Sequence, residues 1–156
     1  MNLTLINDKI ITSLKKIKIS RIGLGIQSVN DETLKNIERR DDLNILINNI
    51  IFLRKNFPEV ELRVDMMLGL PGDNLKYFLK GFNLVKKTKV DYVDVNELVI
   101  LKGTKLYDDC KKFNIKYKLS GIPVIKSNYS FSERDINLAK EFVKKNNLYR
   151  DNIMGE

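Results

Sequence analysis

The chain has 156 residues, which is enough for one domain with a hydrophobic core and too few for two domains of ordinary size. It carries 28 Lys and Arg against 20 Asp and Glu, a net charge of +8, but the lysines are dispersed as on a solvated surface, so nucleic acid is only an alternative partner. One cysteine and no histidine exclude a disulfide framework within the chain and favour a reducing, cytoplasmic setting, while no apolar run is long enough to cross a membrane.

The first half of the chain alternates between helix and strand patterns. Apolar residues at helical spacing follow the two capping candidates Asn7 and Asp8 and predict a first helix. The apolar run at residues 19–26 predicts a short buried strand, and Asn30 can then start a brief helix to about Glu38. A longer helix follows, because apolar residues recur on one face. These residues are Leu43, Leu46, Ile47, Ile50 and Leu53.

Two further strands are predicted, each followed by a helix. Residues 60–68 form a nearly continuous apolar run, and the Gly-Leu-Pro-Gly loop at residues 69–72 turns the chain sharply. Asp73 or Asn74 can cap the helix that comes next. Residues 91–101 predict the third strand.

The end of the chain has weaker patterns. Apolar spacing after Thr104 predicts a helix that contains Cys110. Residues 114–129 have no clear period and predict a loop or an irregular extension. Ser130 and Glu133 have the spacing of a capping box and predict the start of the last helix.

The alternation of strands with helices predicts an α/β fold. Right-handed crossovers between successive strands would give a parallel sheet. Three strands are too few to close a barrel or to complete a doubly wound sheet, so the sequence predicts part of one of these two architectures.

Polar side chains occur where the predicted strands end, which is where parallel sheets bind ligands. Gln27 and Ser28 offer hydrogen-bonding groups at the end of the first strand. Asp65 lies inside the apolar second strand, where an unpaired charge is costly. The structural interpretation of Asp65 is a partner such as Arg63, Arg39 or a backbone donor.

Three strings occur in order near these strand ends. They are G-x-Q-S at residues 25–28, D-x-x-x-G-L-P-G at residues 65–72 and G-T-x-L at residues 103–106, with Arg39 about a dozen positions after the glutamine. Together they resemble the second half of the radical S-adenosylmethionine (radical SAM) barrel. The branch in question contains oxygen-independent coproporphyrinogen oxidases, methylthiotransferases and cobalamin-associated radical SAM proteins. The resemblance extends from about residue 7 to residue 106.

The resemblance implies a cofactor site for S-adenosylmethionine. Gln27 and Asp65 would bind the ribose hydroxyls, with Ser28 at the same strand end. Arg39 would pair with the methionine carboxylate, and Arg40 is the alternative for this role. Side chains near Met67 and Ile100 could line the adenine, although core packing is the preferred interpretation of both.

The resemblance also implies a partial parallel (β/α) barrel. About three βα units of a radical SAM-type barrel would occupy residues 1–113, and residues 114–156 would form an irregular segment and a C-terminal helix. The neighbouring strands of such a barrel would cover Ile22, Leu24 and Ile26. We therefore expect this chain to be marginally stable, to self-associate or to need a partner.

Radical SAM enzymes hold a [4Fe-4S] cluster on a C-x3-C-x2-C loop, which this sequence lacks. Cys110 has helical spacing with Leu106 and Phe113, which is typical of a small buried residue and not of a metal ligand. Our hypothesis is that the chain is a fragment, from a truncated or split gene, that retains cofactor-binding motifs and is inactive alone. Its partner would be an N-terminal half-barrel polypeptide that carries the cluster. The alternative is a non-catalytic binding or scaffold module with a degenerate cofactor groove.

Overall fold

A computed structural model describes residues 5–39 and 41–151, with six helices and five strands in this part of the chain. The helices are α1 (Asp8–Leu14), α2 (Asp31–Asn36), α3 (Leu43–Asn56), α4 (Leu75–Lys87), α5 (Lys105–Asp108) and α6 (Glu133–Asp151). The strands are β1 (Arg21–Gly25), β2 (Glu61–Leu68), β3 (Tyr92–Glu97), β4 (Lys116–Tyr117) and β5 (Ile125–Ser127). Among the described helices, none combines the length and the apolar character that a membrane span requires.

Polar side chains cap the helices of the first part of the chain. Asn7, Asn30 and Asn74 accept hydrogen bonds from backbone N–H groups at the starts of α1, α2 and α4, as their sequence context predicts. Asp42 does the same for α3. Of the two candidate caps of α4, Asn74 therefore fills the position, and Asp73 is buried instead.

The three longer strands form one parallel sheet in the order β1-β2-β3. The register aligns Gly25 with Asp65 and Asp65 with Asp94. This confirms the prediction of an α/β fold with a partial parallel barrel. β3 is shorter than predicted, because the backbone beyond it pairs with a distant part of the chain. Ile100 N–H donates to the carbonyl of Pro123, and Val99 forms a bridge with Val124.

The segment predicted to be irregular contains strands β4 and β5, which pair in an antiparallel manner. Local sequence does not reveal this pairing, since the strands are short and depend on contacts with residues 98–100. The last helix also starts differently from the prediction. Ser132 accepts the hydrogen bond from Asp135 N–H at 3.1 Å, whereas Ser130 binds a loop elsewhere in the fold.

The two faces of the parallel sheet differ sharply. One face is covered by the chain's own helices, and its apolar residues join α1, α3, α4 and α6 in one hydrophobic cluster. Ile22, Leu24 and Ile26 belong to this cluster and are 6%, 1% and 0% exposed. The expectation that missing strands leave these three residues uncovered is therefore wrong, because alternation along the strand turns them towards the helices.

The opposite face carries mostly small or polar residues, and we call it the open face. Its residues alternate with the buried positions of each strand, and in the register they form rows across the sheet. They are Arg21, Gly23 and Gly25 from β1, Glu61, Arg63, Asp65 and Met67 from β2, and Tyr92, Asp94 and Asn96 from β3.

Candidate functional site

Gln27 and Asp65 lie side by side at the C-terminal end of the open face. A Cβ atom on Gly25 would lie 3.0 Å from Gln27 Nε2, so the glutamine side chain folds back over this glycine. Gly25 is the register partner of Asp65. The amide of Gln27 and the carboxylate of Asp65 therefore border the same part of the sheet, where the lack of a side chain on Gly25 makes room for the glutamine amide.

The side chain of Asp65 forms no hydrogen bond or ion pair with another of the described residues. The partner suggested by the sequence, Arg63, binds Asp94 instead, with Nε 3.0 Å from Oδ2. Arg63 also lies over the ring of Tyr92, with the guanidinium carbon 4.5 Å from the ring centre. The carboxylate oxygens of Asp65 thus remain able to accept hydrogen bonds on the open face.

Ser28 follows Gln27 in the chain, but its side chain binds a different set of residues. Its side chain is 2% exposed and points into the packing between two loops. The hydroxyl donates to Asp73 Oδ2 at 3.0 Å and accepts from Asn30 N–H at 3.1 Å. With both functions of the hydroxyl engaged, Ser28 contributes to the loop structure and does not border the open face.

Asp73 was not identified as a site residue from sequence, where it was one of two candidate helix caps. It is 1% exposed, and burial raises its pKa from 3.8 to about 6. Hydrogen bonds from Asn74 N–H and from Ser28 oppose this change by stabilising the charged form. Asp73 is thus a buried acid with its own partners beside the candidate cofactor site.

Arg39 lies after α2 and is held by local contacts. The chain turns at Glu38, whose φ is 57°, and Arg39 N–H donates to the carbonyl of Leu34 at 2.8 Å. Its side-chain Nε donates to Asp41 Oδ2 at 2.7 Å. Arg39 borders a cleft of about 600 Å³ that is also lined by Asp31, Leu34, Lys35, Glu38 and Asp41.

The described contacts of Arg39 do not bring it to Gln27 or Asp65. The rival candidate for the same role, Arg40, lies outside the described residues. The choice between the two arginines therefore stays a prediction.

The Gly-Leu-Pro-Gly loop is fixed by side chains from both ends of the chain. Gly72 N–H donates to Ser130 Oγ at 2.8 Å, and its carbonyl accepts from Asn30 Nδ2 at 2.7 Å. Asn128 Nδ2 donates to the carbonyl of Gly69 at 2.9 Å. Sequence analysis did not identify Asn128 and considered Ser130 only as a helix cap, because their partners in the loop lie about sixty residues away.

The residues considered for adenine contact separate into two environments. Met67 is partly buried on the open face, whereas Ile100 is fully buried in the core. Only Met67 is therefore available to a ligand on this face.

The chain cannot hold an iron–sulfur cluster with cysteines of its own. Cys110 is its only cysteine, and its Sγ donates to the carbonyl of Leu106 at 3.5 Å. Burial, followed by the nearby charges of Asp108 and Asp109, raises the pKa of this thiol, which disfavours the thiolate that binds metals. No group of three or more His, Cys, Asp or Glu in the described ranges could hold a metal ion.

Comparison with known proteins shows which family the chain resembles. The model of the radical SAM superfamily matches residues 1–85. An uncharacterized protein from Methanocaldococcus jannaschii is 31% identical over 54% of this chain and 26% of its own length. A probable threonylcarbamoyladenosine tRNA methylthiotransferase from Pyrococcus horikoshii is 28% identical over 62% of this chain and 23% of its own length. The ribosomal protein uS12 methylthiotransferase RimO from Clostridium perfringens is 31% identical over 58% of this chain and 18% of its own length.

The fold has a similar counterpart among solved structures. Coproporphyrinogen III oxidase HemN from Escherichia coli superposes with a TM-score of 0.62 at 16% identity, over 93% of this chain and 31% of that one. The chain thus spans about a quarter or less of the curated relatives it matches. With the family model covering more than half of its residues, the chain belongs to the radical SAM superfamily.

Proposed function

We propose that the open face binds S-adenosylmethionine and that this chain acts as the cofactor-binding part of a radical SAM enzyme. The observation that carries the proposal is the pairing of Gln27 with Asp65 around Gly25. A carboxylate without a partner among the described residues and an adjacent amide can both accept hydrogen bonds from a ribose diol. The absence of a side chain at Gly25 lets the Gln27 amide lie over the strand, with Nε2 3.0 Å from the position that a Cβ would take.

Arg39 is the proposed partner of the methionine carboxylate. Its Nε is bonded to Asp41, which leaves the terminal nitrogens of the guanidinium to bind a second carboxylate. Asp41 would then fix the orientation of the Arg39 guanidinium, and the methionine carboxylate of the ligand would bind its terminal nitrogens.

The cluster belongs to another part of the proposed enzyme. S-adenosylmethionine bound to a reduced [4Fe-4S] cluster supplies radical chemistry by cleavage of its sulfonium. Since this chain has one cysteine, thiolates for such a cluster come from outside it. We propose an N-terminal half-barrel polypeptide as the source, so that this chain alone binds the nucleoside and performs no chemistry.

Calorimetry with S-adenosylhomocysteine, the demethylated analogue of the cofactor, tests the binding role. We expect Asp65→Asn and Gln27→Ala each to weaken binding by about tenfold, the loss of a hydrogen bond to a charged or buried partner. Asp94→Asn is the matched control, because Asp94 is the neighbouring acid in the same row and is engaged with Arg63. No measurable binding by the natural sequence, or equal losses in the Asp65 and Asp94 variants, would contradict the proposal.

A non-catalytic binding module is the second candidate, and one observation favours it. The helices of this chain cover Ile22, Leu24 and Ile26, so the hydrophobic core does not need added strands. Reconstitution with iron and sulfide, followed by dithionite and S-adenosylmethionine, separates the candidates. The enzyme proposal predicts 5′-deoxyadenosine only when a cluster-bearing half-barrel is added. A binding module predicts none under either condition.

A further inference from the structure

A pair of buried polar side chains lies just beyond the end of the β1–β2 ladder. Ser28 and Asp73 are 2% and 1% exposed, and the serine donates to the carboxylate at 3.0 Å. Asp73 Oδ1 also accepts from Asn74 N–H at 2.9 Å. Asn30 completes the group, since its N–H donates to Ser28 Oγ and its side chain donates to the carbonyl of Gly72.

This group begins where the backbone pairing of the two strands stops. Ile26 N–H donates to the carbonyl of Asp65 at 2.9 Å, and Met67 N–H donates to the carbonyl of Gln27 at 3.3 Å. After Gln27 the chain turns towards α2, while β2 continues to Leu68. The bond from Met67 N–H to Gln27 is the last backbone hydrogen bond between the two strands among the described residues, and it is longer than the one before it. Beyond it, the Ser28–Asp73 hydrogen bond joins the segment after β1 to the segment after β2.

A buried carboxylate at this position lowers the stability of the folded state, because its charge is removed from water. Burial alone raises the pKa of Asp73, which means that the charged form is destabilised there. An apolar side chain of similar volume avoids that cost but accepts no hydrogen bond. What the acid provides is a directional contact to Ser28, the residue that follows Gln27.

We infer that Ser28 and Asp73 are positioning residues for Gln27. Their contact fixes the end of β1 against the Gly-Leu-Pro-Gly loop and keeps Gln27 in register with Met67. The Gln27 amide is thereby held over Gly25, beside Asp65. The consequence for ligand affinity rests on the proposed function, whereas the effect on the strand end does not.

Amide hydrogen exchange measured by NMR tests the effect on the strand end without any ligand. In Ser28→Ala we expect exchange at Met67 N–H to accelerate by about tenfold more than exchange at Ile26 N–H, because only the last rung opens locally. Asp73→Leu, which keeps the branched shape of the side chain and removes the acceptor, should give the same selective change. Thr88→Val is the matched control, since Thr88 is also a buried hydroxyl but lies at the end of α4. Equal acceleration at Met67 and Ile26, or none at either, would overturn the inference.

Calorimetry with S-adenosylhomocysteine tests the consequence for affinity. We expect Ser28→Ala and Asp73→Leu to weaken binding by about fivefold and Ser28→Thr, which keeps the hydroxyl, to restore it to within about twofold. Selective opening at Met67 with unchanged affinity would overturn the positioning role. If the natural sequence does not bind the analogue, the proposed function fails, and the exchange data still decide whether the pair holds the strand end.

Discussion

Asp73 makes the stability of the protein depend on pH in a direction opposite to that of most carboxyl groups. Its pKa is about 6 in the folded chain against an ordinary value of 3.8, because burial penalises the charge. The folded state therefore holds this proton more tightly than the unfolded state. The stability that Asp73 contributes is complete below about pH 4 and is lost as the pH rises through about 6.

The variant Asp73→Asn should remove this dependence. Its stability relative to the natural sequence should improve by up to about 3 kcal/mol between about pH 4 and about pH 7, from a pKa difference of about two units. Urea unfolding across this range measures the difference. Asp109→Asn is the control, because the hydrogen bond from Lys105 lowers the pKa of Asp109, which is half-buried. The contribution of Asp109 to stability is therefore already complete above its ordinary pKa. A constant difference between Asp73→Asn and the natural sequence would contradict the assignment.

At the level of loops and elements, the loop at residues 69–72 depends on the absence of a side chain at Gly72. The φ of Gly72 is 93°, and a Cβ there would lie 2.7 Å from Asn36 Nδ2 and 3.2 Å from Thr33 N. Gly103 has a similar φ of 82°, but no atom lies within 4 Å of the position of its Cβ. A side chain at Gly103 would therefore strain only the backbone conformation, whereas one at Gly72 would strain the backbone and also collide with its neighbours.

Substitution of each glycine by alanine makes this difference measurable. Gly103→Ala should destabilise the fold by about 1 kcal/mol, because alanine disfavours a left-handed backbone conformation. Gly72→Ala should cost about 3 kcal/mol or more, since the backbone of Thr33 cannot move as a flexible side chain can. Chemical unfolding gives both values. Similar losses in the two variants would show that the contact at Gly72 adds nothing.

Local sequence was sufficient for the elements whose signals are local. Asn7, Asn30 and Asn74 cap the helices that they were predicted to cap. The order of the strands was also sufficient to expect Gln27 near Asp65, since Gln27 lies over Gly25, the register partner of Asp65. Their common role in a cofactor site comes from the resemblance to the radical SAM barrel and stays a prediction. Local sequence could not reveal that Ser28 turns the other way to meet Asp73, a partner 45 residues away.

The remaining errors in the predicted elements share that cause. The third strand was predicted too long because its last residues pair with residues 123–125. Ser130 has the spacing of a helix cap but binds Gly72 across 58 positions. Arg39 is a separate case, because its contact with Asp41 is local and follows a left-handed turn at Glu38 that the type of residue does not suggest.

At the scale of the whole molecule, the helices of this chain close its hydrophobic core. The covered face of the sheet and residues of α1, α3, α4 and α6 form one cluster, which also includes Phe131 from the segment before α6. Burial of this kind favours cooperative unfolding. One of the two grounds for expecting marginal stability, the strand edge of β1, is unaffected, because β1 lies at the edge of the three-stranded sheet. The burial of Ile22, Leu24 and Ile26 removes the other ground.

We therefore expect the isolated chain to unfold in one sharp thermal transition. The midpoint should not depend on protein concentration, because the described core needs no second molecule to bury it. Calorimetry at several concentrations, with light scattering at the lowest temperature, checks this. A broad transition, or a midpoint that rises with concentration, would favour a chain that needs a partner to fold.

The binding of Gly72 by both Asn30 and Ser130 also has a consequence for the order of events in folding. These partners are 42 and 58 residues away from the glycine, on opposite sides of it in the sequence. Both contacts close long loops of the chain, and closing a long loop costs conformational entropy. We therefore expect the two contacts to form after the folding transition state. Loss of the Ser130 hydroxyl would then leave the folding rate nearly unchanged and accelerate unfolding. The contacts of the loop that joins β2 to α4 would therefore slow unfolding and have little effect on the rate of folding.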